Sequence, residues 1–126
     1  MAALLHRDPD GAAHVTARVR ASGLDPADWV RAYLDAYLRP LAHALLAHDL
    51  AFMPHGENLI LVLRDHVVVR AVMKDVGEEI AVLGDAPLPP GVERVRAVVD
   101  EEEAALASFP PVFAGVLSQL AARLAG

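Results

Sequence analysis

Cysteine is absent from the chain, and so is any apolar run long enough to cross a bilayer. Without cysteine among its 126 residues, the chain cannot form disulfides, use a thiolate in catalysis, or bind zinc or an iron–sulfur cluster through sulfur. The longest apolar stretch, residues 59–63, is far too short for a membrane-spanning helix. No basic segment leads into an apolar core at the N-terminus, so we expect no secretion signal.

Basic residues are scarce relative to acidic ones. Eleven Lys and Arg stand against seventeen Asp and Glu, which gives a formal net charge of −6. This balance argues against binding to a nucleic-acid backbone or to an anionic membrane, because both are themselves negatively charged. We therefore expect a soluble, cytoplasmic protein whose partners are neither nucleic acids nor membranes.

The length suits one compact domain, because a chain of this size can bury roughly two thirds of its unfolded surface. A composition of 55% hydrophobic and 22% charged residues is typical of a globular fold. The predicted organisation is a single partial domain. It comprises a leading segment 1–24, a helix 25–49, a loop and hairpin 50–83, a loop and acidic run 84–103, and a helical tail 104–126.

A long helix is predicted from Asp25 onward. Asp25 is suited to the helix cap, Pro26 to the first helical position, and Asp28 to the first turn, where the helix dipole favours a carboxylate. Apolar residues then recur at helical spacing, which indicates a wide buried stripe. The stripe comprises Trp29, Val30, Tyr33, Leu34, Tyr37, Leu38, Leu41 and Leu45. Pro40 removes one backbone hydrogen bond, so we expect a kink or a short break there and a helix end near His48.

Two β-rich runs follow the helix. Residues 59–64 and 67–73 are separated only by Asp65 and His66, which predicts an antiparallel hairpin. Because both runs are apolar on successive residues, we expect both hairpin faces to be covered. A third short strand is expected at 80–83. One face of a final helix is marked by Phe113, Val116, Leu117, Leu120 and Leu124. The predicted fold is α+β, with a long kinked helix and a C-terminal helix packed on a small antiparallel hairpin sheet.

Three polar residues precede the first predicted strand. In "FMPHGENLILVL", residues 52–63, His55, Glu57 and Asn58 stand directly against an almost purely aliphatic run. Polar groups beside a buried strand need partners, which are either ordinary loop hydrogen bonds or a bound ligand.

The hairpin register predicts a metal site. A turn centred between residues 64 and 67 places Asn58 opposite Met73, so that Asn58 and Asp75 become diagonal neighbours. Such neighbours lie roughly 7 to 8 Å apart, and both side chains can then reach one ion. A carboxamide and a carboxylate, with room for water and phosphate, are suitable ligands for magnesium bound to a nucleotide.

The same layout, an Asn before a hairpin and an Asp just after it, holds the metal in protein-kinase-like folds, and by analogy it suggests a kinase-like palm. Lys74 is placed to offset phosphate charge, and His55 to donate to a phosphate or to a developing oxyanion. A purely structural interpretation stays open: His and Asn in turns commonly satisfy their own backbone, and Lys74 with Asp75 commonly forms a surface pair.

Other polar residues carry weaker signals. Glu78 and Glu79 are candidates for a further ligand or base, but two adjacent carboxylates usually point in different directions. His43 and His48 are five residues apart, so they do not share a helix face as metal ligands at i and i+4 would. His14 belongs to no recognisable pattern.

Three stretches carry a resemblance to a known family: "DPADWVRAYLDAYLRPLAHALLAHDL", "FMPHGENLILVL" and "VMKDVGEEIAVLGD". Together they resemble the C-terminal half of the IucA/IucC family, the siderophore synthetases that work without a nonribosomal assembly line. Family members use ATP and magnesium to adenylate a carboxylate, which an amine or hydroxylamine then attacks. The resemblance implies that His55 contacts the nucleotide phosphates and that Asn58 and Asp75 bind the metal. Glu57 belongs to the same His-Gly-Glu-Asn block and is assigned to the nucleotide with them.

The chain also departs from this family. In some branches an acidic residue stands two positions before the histidine, whereas Met53 stands here. Family members are several times longer, so we expect an internal piece of a synthetase that needs the remainder of the enzyme and has a tendency to self-associate. The alternative is a non-catalytic remnant or binding module of the same fold. A phosphotransferase is a third interpretation, and it lacks an Asp placed as catalytic base.

Overall fold

The computed structural model describes residues 2–77, 79–97 and 118–124. Three α-helices are present in that part: α1 His14–Ser22, α2 Pro26–His48 and α3 Ser118–Leu124. Four strands accompany them: β1 Leu50–Phe52, β2 Leu59–Arg64, β3 Val67–Met73 and β4 Ile80–Val82. Two short 3-10 helices cover Ala2–Leu5 and Glu93–Val95. The predicted α+β class is confirmed.

Helix α2 begins and ends where its capping residues predict. The Asp25 side chain accepts a hydrogen bond of 2.8 Å from the Ala27 N–H, and Pro26 occupies the first turn. Asp49 ends the helix in a left-handed conformation, with φ at 52°. The helix continues through Pro40 without interruption, so the expected short break is wrong, whereas a kink there stays a prediction.

The aromatic residues of α2 form the centre of the core. Trp29, Tyr33 and Tyr37 are at most 1% exposed. The Trp29 and Tyr33 rings stack with centroids 6.1 Å apart, and the Tyr33 and Tyr37 rings lie 5.4 Å apart. They share one hydrophobic cluster with Leu59 and Val68 of the hairpin, so α2 packs on the hairpin as predicted. None of the described helices is long and apolar enough to span a membrane.

Strands β2 and β3 form the predicted hairpin, but with a different register. Arg64 pairs with Val67 as expected, and a bulge between Val62 and Leu63 then shifts every later pair by one residue. Met73 therefore pairs with Leu59. The expected pairing of Asn58 with Met73 is wrong: the Lys74 N–H donates to the Asn58 carbonyl at 2.9 Å instead.

Strand β4 does not join the hairpin. It pairs with β1, so the described residues form two separate two-stranded antiparallel sheets. Strand β1 was missed because its three residues follow a helix directly and are too few to show a period. Helix α1 was also missed, although Gly23 at φ 71° provides a regular helix end.

The C-terminal helix and the outer hairpin face differ from the expectation. Helix α3 packs on α1 and on the N-terminal 3-10 helix, and the Thr16 hydroxyl donates to the Arg123 carbonyl at 3.1 Å. In the part of the chain that the structure describes, the hairpin is not covered on both faces, since Ile60, Val69 and Val72 are 39% to 50% exposed. The acidic run 100–103 and the predicted helical positions before residue 118 lie outside the described residues.

Candidate functional site

The loop between β1 and β2 is fixed on α2. Tyr37 donates its hydroxyl hydrogen to the Pro54 carbonyl at 3.0 Å, and Pro54 itself is buried. Burial raises the pKa of Tyr37 far above its usual value, so this hydroxyl remains a donor. The His55 N–H donates to the Met53 carbonyl at 3.0 Å, which closes a tight turn. A loop held in this way presents His55 and Asn58 in defined positions.

Asn58 is the one polar side chain buried in the described core, with 1% of its surface exposed. Its Nδ2 donates to the Met53 carbonyl and to the Glu79 Oε2 carboxylate oxygen. These two acceptors fix the amide orientation, because the reversed amide would place oxygen against oxygen. The Asn58 Oδ1 atom has no hydrogen-bond partner among the described residues. An unpartnered buried oxygen is costly, and a bound cation or donor would remove that cost.

Glu79 connects the two polar residues of the loop. Its Oε1 atom lies 2.8 Å from His55 Nε2, and its Oε2 atom accepts from Asn58. Pairing of β4 with β1 brings Glu79 here, because the Met53 N–H donates to the Glu79 carbonyl at 3.2 Å. Sequence reasoning ranked Glu79 low. The signal that would have found it is the pairing of β1 with β4, which places residue 79 beside the loop.

Lys74 and Asp75 follow the hairpin directly. Their side chains form an ion pair of 2.6 Å and are 47% and 57% exposed. The hydrogen bond to Asp75, and then its charge, raise the pKa of Lys74, so the ammonium group stays protonated at neutral pH. Asp75 has a left-handed backbone, with φ at 57°. The hydrogen bond between the Lys74 N–H and the Asn58 carbonyl brings this pair to the same end of the hairpin as Asn58.

An arginine contacts the loop that carries Asp75. Arg94, in the 3-10 helix Glu93–Val95, donates from Nη1 to the Gly77 carbonyl at 2.7 Å. Hydrogen bonding of Ala97 N–H to the Val82 carbonyl, at 2.9 Å, fixes this 3-10 helix on β4. Sequence reasoning did not single out Arg94, because a loop arginine 17 residues from its partner gives no local signal.

The structure therefore brings the predicted residues into two adjacent groups. His55 and Asn58 meet on Glu79, while Lys74 and Asp75 pair with each other. Glu57 is exposed, and its N–H lies 3.4 Å from His55 Nδ1. Within the described ranges, no three His, Asp or Glu side chains are grouped as metal ligands. Any metal held here depends on the carboxamide of Asn58 together with a carboxylate.

Comparison with known proteins places this chain in a family. Residues 27–126 match the family described as "Ferric iron reductase FhuF-like transporter". The chain belongs to this family. It is 53% identical over 103 residues to the putrebactin synthase of Shewanella sp. (strain MR-4), a match that covers 81% of this chain and 16% of that protein. It is 36% identical over 75 residues to an aerobactin synthase of Vibrio mimicus, which covers 60% of this chain and 13% of that protein.

A solved structure agrees with these relatives. The aerobactin synthetase IucC of Klebsiella pneumoniae superimposes with a TM-score of 0.90 at 26% identity, covering 98% of this chain and 24% of that one. The FhuF-like chain therefore has the fold of one segment of IucC, and the resemblance to the IucA/IucC synthetases is confirmed. It spans between 12% and 17% of the length of the curated relatives it matches.

Proposed function

We propose that this chain forms one wall of the ATP and magnesium site of a siderophore synthetase of the IucA/IucC family. The complete enzyme would adenylate a carboxylate and then join it to an amine or a hydroxylamine. The relatives support this proposal through their names, which are those of siderophore synthases. The family description mentions a reductase and a transporter, whereas the relatives of known name are synthases.

The observation that carries the proposal is the Oδ1 atom of Asn58. It is buried and unpartnered within the described residues, while Glu79 and the Met53 carbonyl hold the other end of the amide. A carboxamide oxygen kept in one orientation is a suitable ligand for a hard cation such as magnesium. The Asn58 oxygen is therefore chemically suited to magnesium, the ion that the resemblance to the IucA/IucC family implies.

Asp75 is proposed as the second metal ligand. The bulge sets Lys74 opposite Asn58, so the predicted diagonal placement of Asp75 is wrong. Asp75 is instead the next residue, where the backbone is left-handed with φ at 57°. Its carboxylate is exposed and already holds Lys74, so a cation at Asp75 lies beside an ammonium group suited to a phosphate. This arrangement, Asn before and Asp after a hairpin, is the basis for proposing a kinase-like palm, and the single partial domain is proposed from the length of the chain.

His55, Glu57 and Lys74 are proposed to act on the nucleotide. In the first step a carboxylate oxygen of the substrate attacks the α-phosphorus and pyrophosphate leaves. In the second, the amine nitrogen attacks the acyl carbon, loses a proton, and AMP leaves. The metal would neutralise phosphate charge in the first step. Lys74 binds phosphate oxygens as a protonated donor, and His55, held at Nε2 by Glu79, contacts the nucleotide phosphates.

Pyrophosphate release by the complete synthetase that carries this segment tests the proposal. Asp75→Asn removes the charge while keeping a residue type that tolerates the left-handed backbone. We expect release to fall by at least about a hundredfold, the loss typical for a group that stabilises transition-state charge. Asp35→Asn is the matched control, because Asp35 is an exposed carboxylate on α2 whose ion-pair partner is Arg39, at 3.7 Å. Equal rates in the two variants would refute the metal assignment.

A further inference from the structure

A cavity lies beside strand β2 of the hairpin. Its volume is about 390 Å³, and it lies between the N-terminal 3-10 helix, α1 and β2. The lining residues are Ala3, Leu4, His14, Arg18, Ile60, Leu61 and Leu63. None of the residues assigned to ATP or metal is among them. A volume above roughly 300 Å³ with mostly apolar walls and few polar groups is typical of a small-molecule site.

Arg18 is held in a fixed orientation at this cavity. Its Nε–H donates to Nε2 of His14 at 3.2 Å, and its Nη1–H donates to Nδ1 of His66 at 3.0 Å. A guanidinium group has no acceptor, so both imidazoles must receive these bonds on unprotonated nitrogens. Two aromatic acceptors thus orient the cation without neutralising its charge.

Arg18 also lacks an anionic partner within the described ranges. No ion pair involves it there, and its hydrogen bonds to His14 and His66 use only two of the five N–H groups of a guanidinium. The residue is partly buried beside apolar walls, where a charge without a counter-ion is unfavourable. The cavity therefore offers a pre-oriented cationic fork and an apolar surface together.

The hairpin turn holds His66 in place beside Arg18. Asp65 and His66 both have left-handed backbones, with φ at 49° and 68°, although neither is glycine. The Trp29 indole N–H donates to the His66 carbonyl at 2.9 Å and holds the turn in place. Positive φ at both central residues is the usual geometry of a two-residue type I′ hairpin turn. The turn residue held in this way is the one that accepts from Arg18.

We propose that this cavity binds a small monocarboxylic acid with a short apolar body. The carboxylate binds the free N–H groups of Arg18 as a bidentate pair, and the body packs on Leu4, Leu61 and Leu63. The planar guanidinium matches a carboxylate, whereas the apolar wall offers nothing to a phosphate's remaining oxygens. This site is separate from the ATP site, so the two proposals stand or fall independently.

The test is a methyl NMR titration of the complete synthetase that carries this segment with hexanoate, followed at the methyl signals of Leu61 and Leu63. Saturable shifts are expected. Arg18→Gln should weaken binding by about tenfold or more, the effect of losing a charged hydrogen-bond pair, and Arg18→Lys should weaken it less. Arg20→Gln, an exposed arginine on the same helix, is the matched control and should change the dissociation constant less than about twofold.

Three results would overturn the proposal. The first is the absence of saturable methyl shifts with hexanoate in the wild-type synthetase. The second is equal binding of hexanoate by the wild type and Arg18→Gln, with both shown to be folded by their methyl spectra. The third is equally tight binding of 1-hexanol, which shares the apolar body but lacks the carboxylate.

Discussion

Glu79 shows at the scale of a single residue how the candidate site is arranged. One carboxylate accepts from the amide of Asn58 with one oxygen and faces the imidazole of His55 with the other. Met53, which stands where some synthetases have an acidic residue, contributes only its backbone carbonyl. Glu79 thus provides by tertiary contact a carboxylate that the local sequence lacks, and we assign it the role of a positioning residue.

Glu79→Ala should slow pyrophosphate release by the complete synthetase about 10- to 100-fold, the range found when a partner of a metal ligand is removed. Glu79→Gln retains an oxygen that can accept from Asn58, so its loss should be smaller. The relevant readout is the split between kcat and KM for ATP, together with the melting temperature. If both variants lost thermal stability alone and kept their kinetic constants, Glu79 would have only a structural role.

Tyr37 predicts a dependence of stability on alkaline pH. Burial raises the pKa of Tyr37 in the folded chain above its value of 10.0 in the unfolded chain, so the folded state resists deprotonation. Its contribution to stability is therefore complete below pH 10 and declines as the pH rises above that value. In urea titrations between pH 9 and 11, Tyr37→Phe should lose less stability than the wild type. An equal loss in both proteins would contradict the assignment.

At the scale of elements, the strongly patterned segments were predictable and the short ones were not. For helix α2, the capping residue, the apolar stripe and the end are all recognisable in the sequence. For the hairpin, the sequence shows two β-rich runs with a two-residue connection. The bulge after Val62 has no local signature, because no glycine or proline marks it. Strand β1 is too short to show a period, and its pairing with β4 is non-local.

The residues of the candidate site were predictable only where they lie next to the hairpin in sequence. His55, Asn58, Lys74 and Asp75 were visible because they flank the hairpin in sequence. Glu79 and Arg94 were not, because their positions depend on contacts with strands and loops distant in the chain. The buried and unpartnered state of Asn58 Oδ1 is likewise a property of tertiary packing that no spacing shows.

The hairpin turn gives a prediction at this scale. His66→Ala and His66→Gly both remove the contact with Arg18, but only Ala pays the cost of a left-handed backbone at φ 68°. We therefore expect the Ala variant to be about 1 kcal/mol less stable than the Gly variant, with the greater unfolded freedom of Gly reducing the difference. Urea unfolding of the two variants measures it. Equal or lower stability of the Gly variant would show that the turn is not strained.

At the scale of the whole molecule, we propose that the chain is part of a larger enzyme. Several apolar residues on its surface, Val69 and Val72 of the hairpin and the loop residues Met53 and Val76, are 39% to 49% exposed. Such surface favours association, and we propose that the remainder of the synthetase covers it or that isolated chains self-associate. The proposed nucleotide contacts also lie on one wall only, so triphosphate bound to the isolated chain would stay in water, where charge interactions are weak.

Binding of manganese in place of magnesium to the complete synthetase, followed by electron paramagnetic resonance in the presence of a non-hydrolysable ATP analogue, tests the central claim most directly. We expect nucleotide-dependent manganese binding by the wild type and by Asp35→Asn. Asp75→Asn should bind the ion at least about tenfold more weakly, because one of the two proposed ligands loses its charge. Unchanged manganese binding by Asp75→Asn, in a protein with the wild-type melting temperature, would contradict the assignment of the metal to the end of this hairpin.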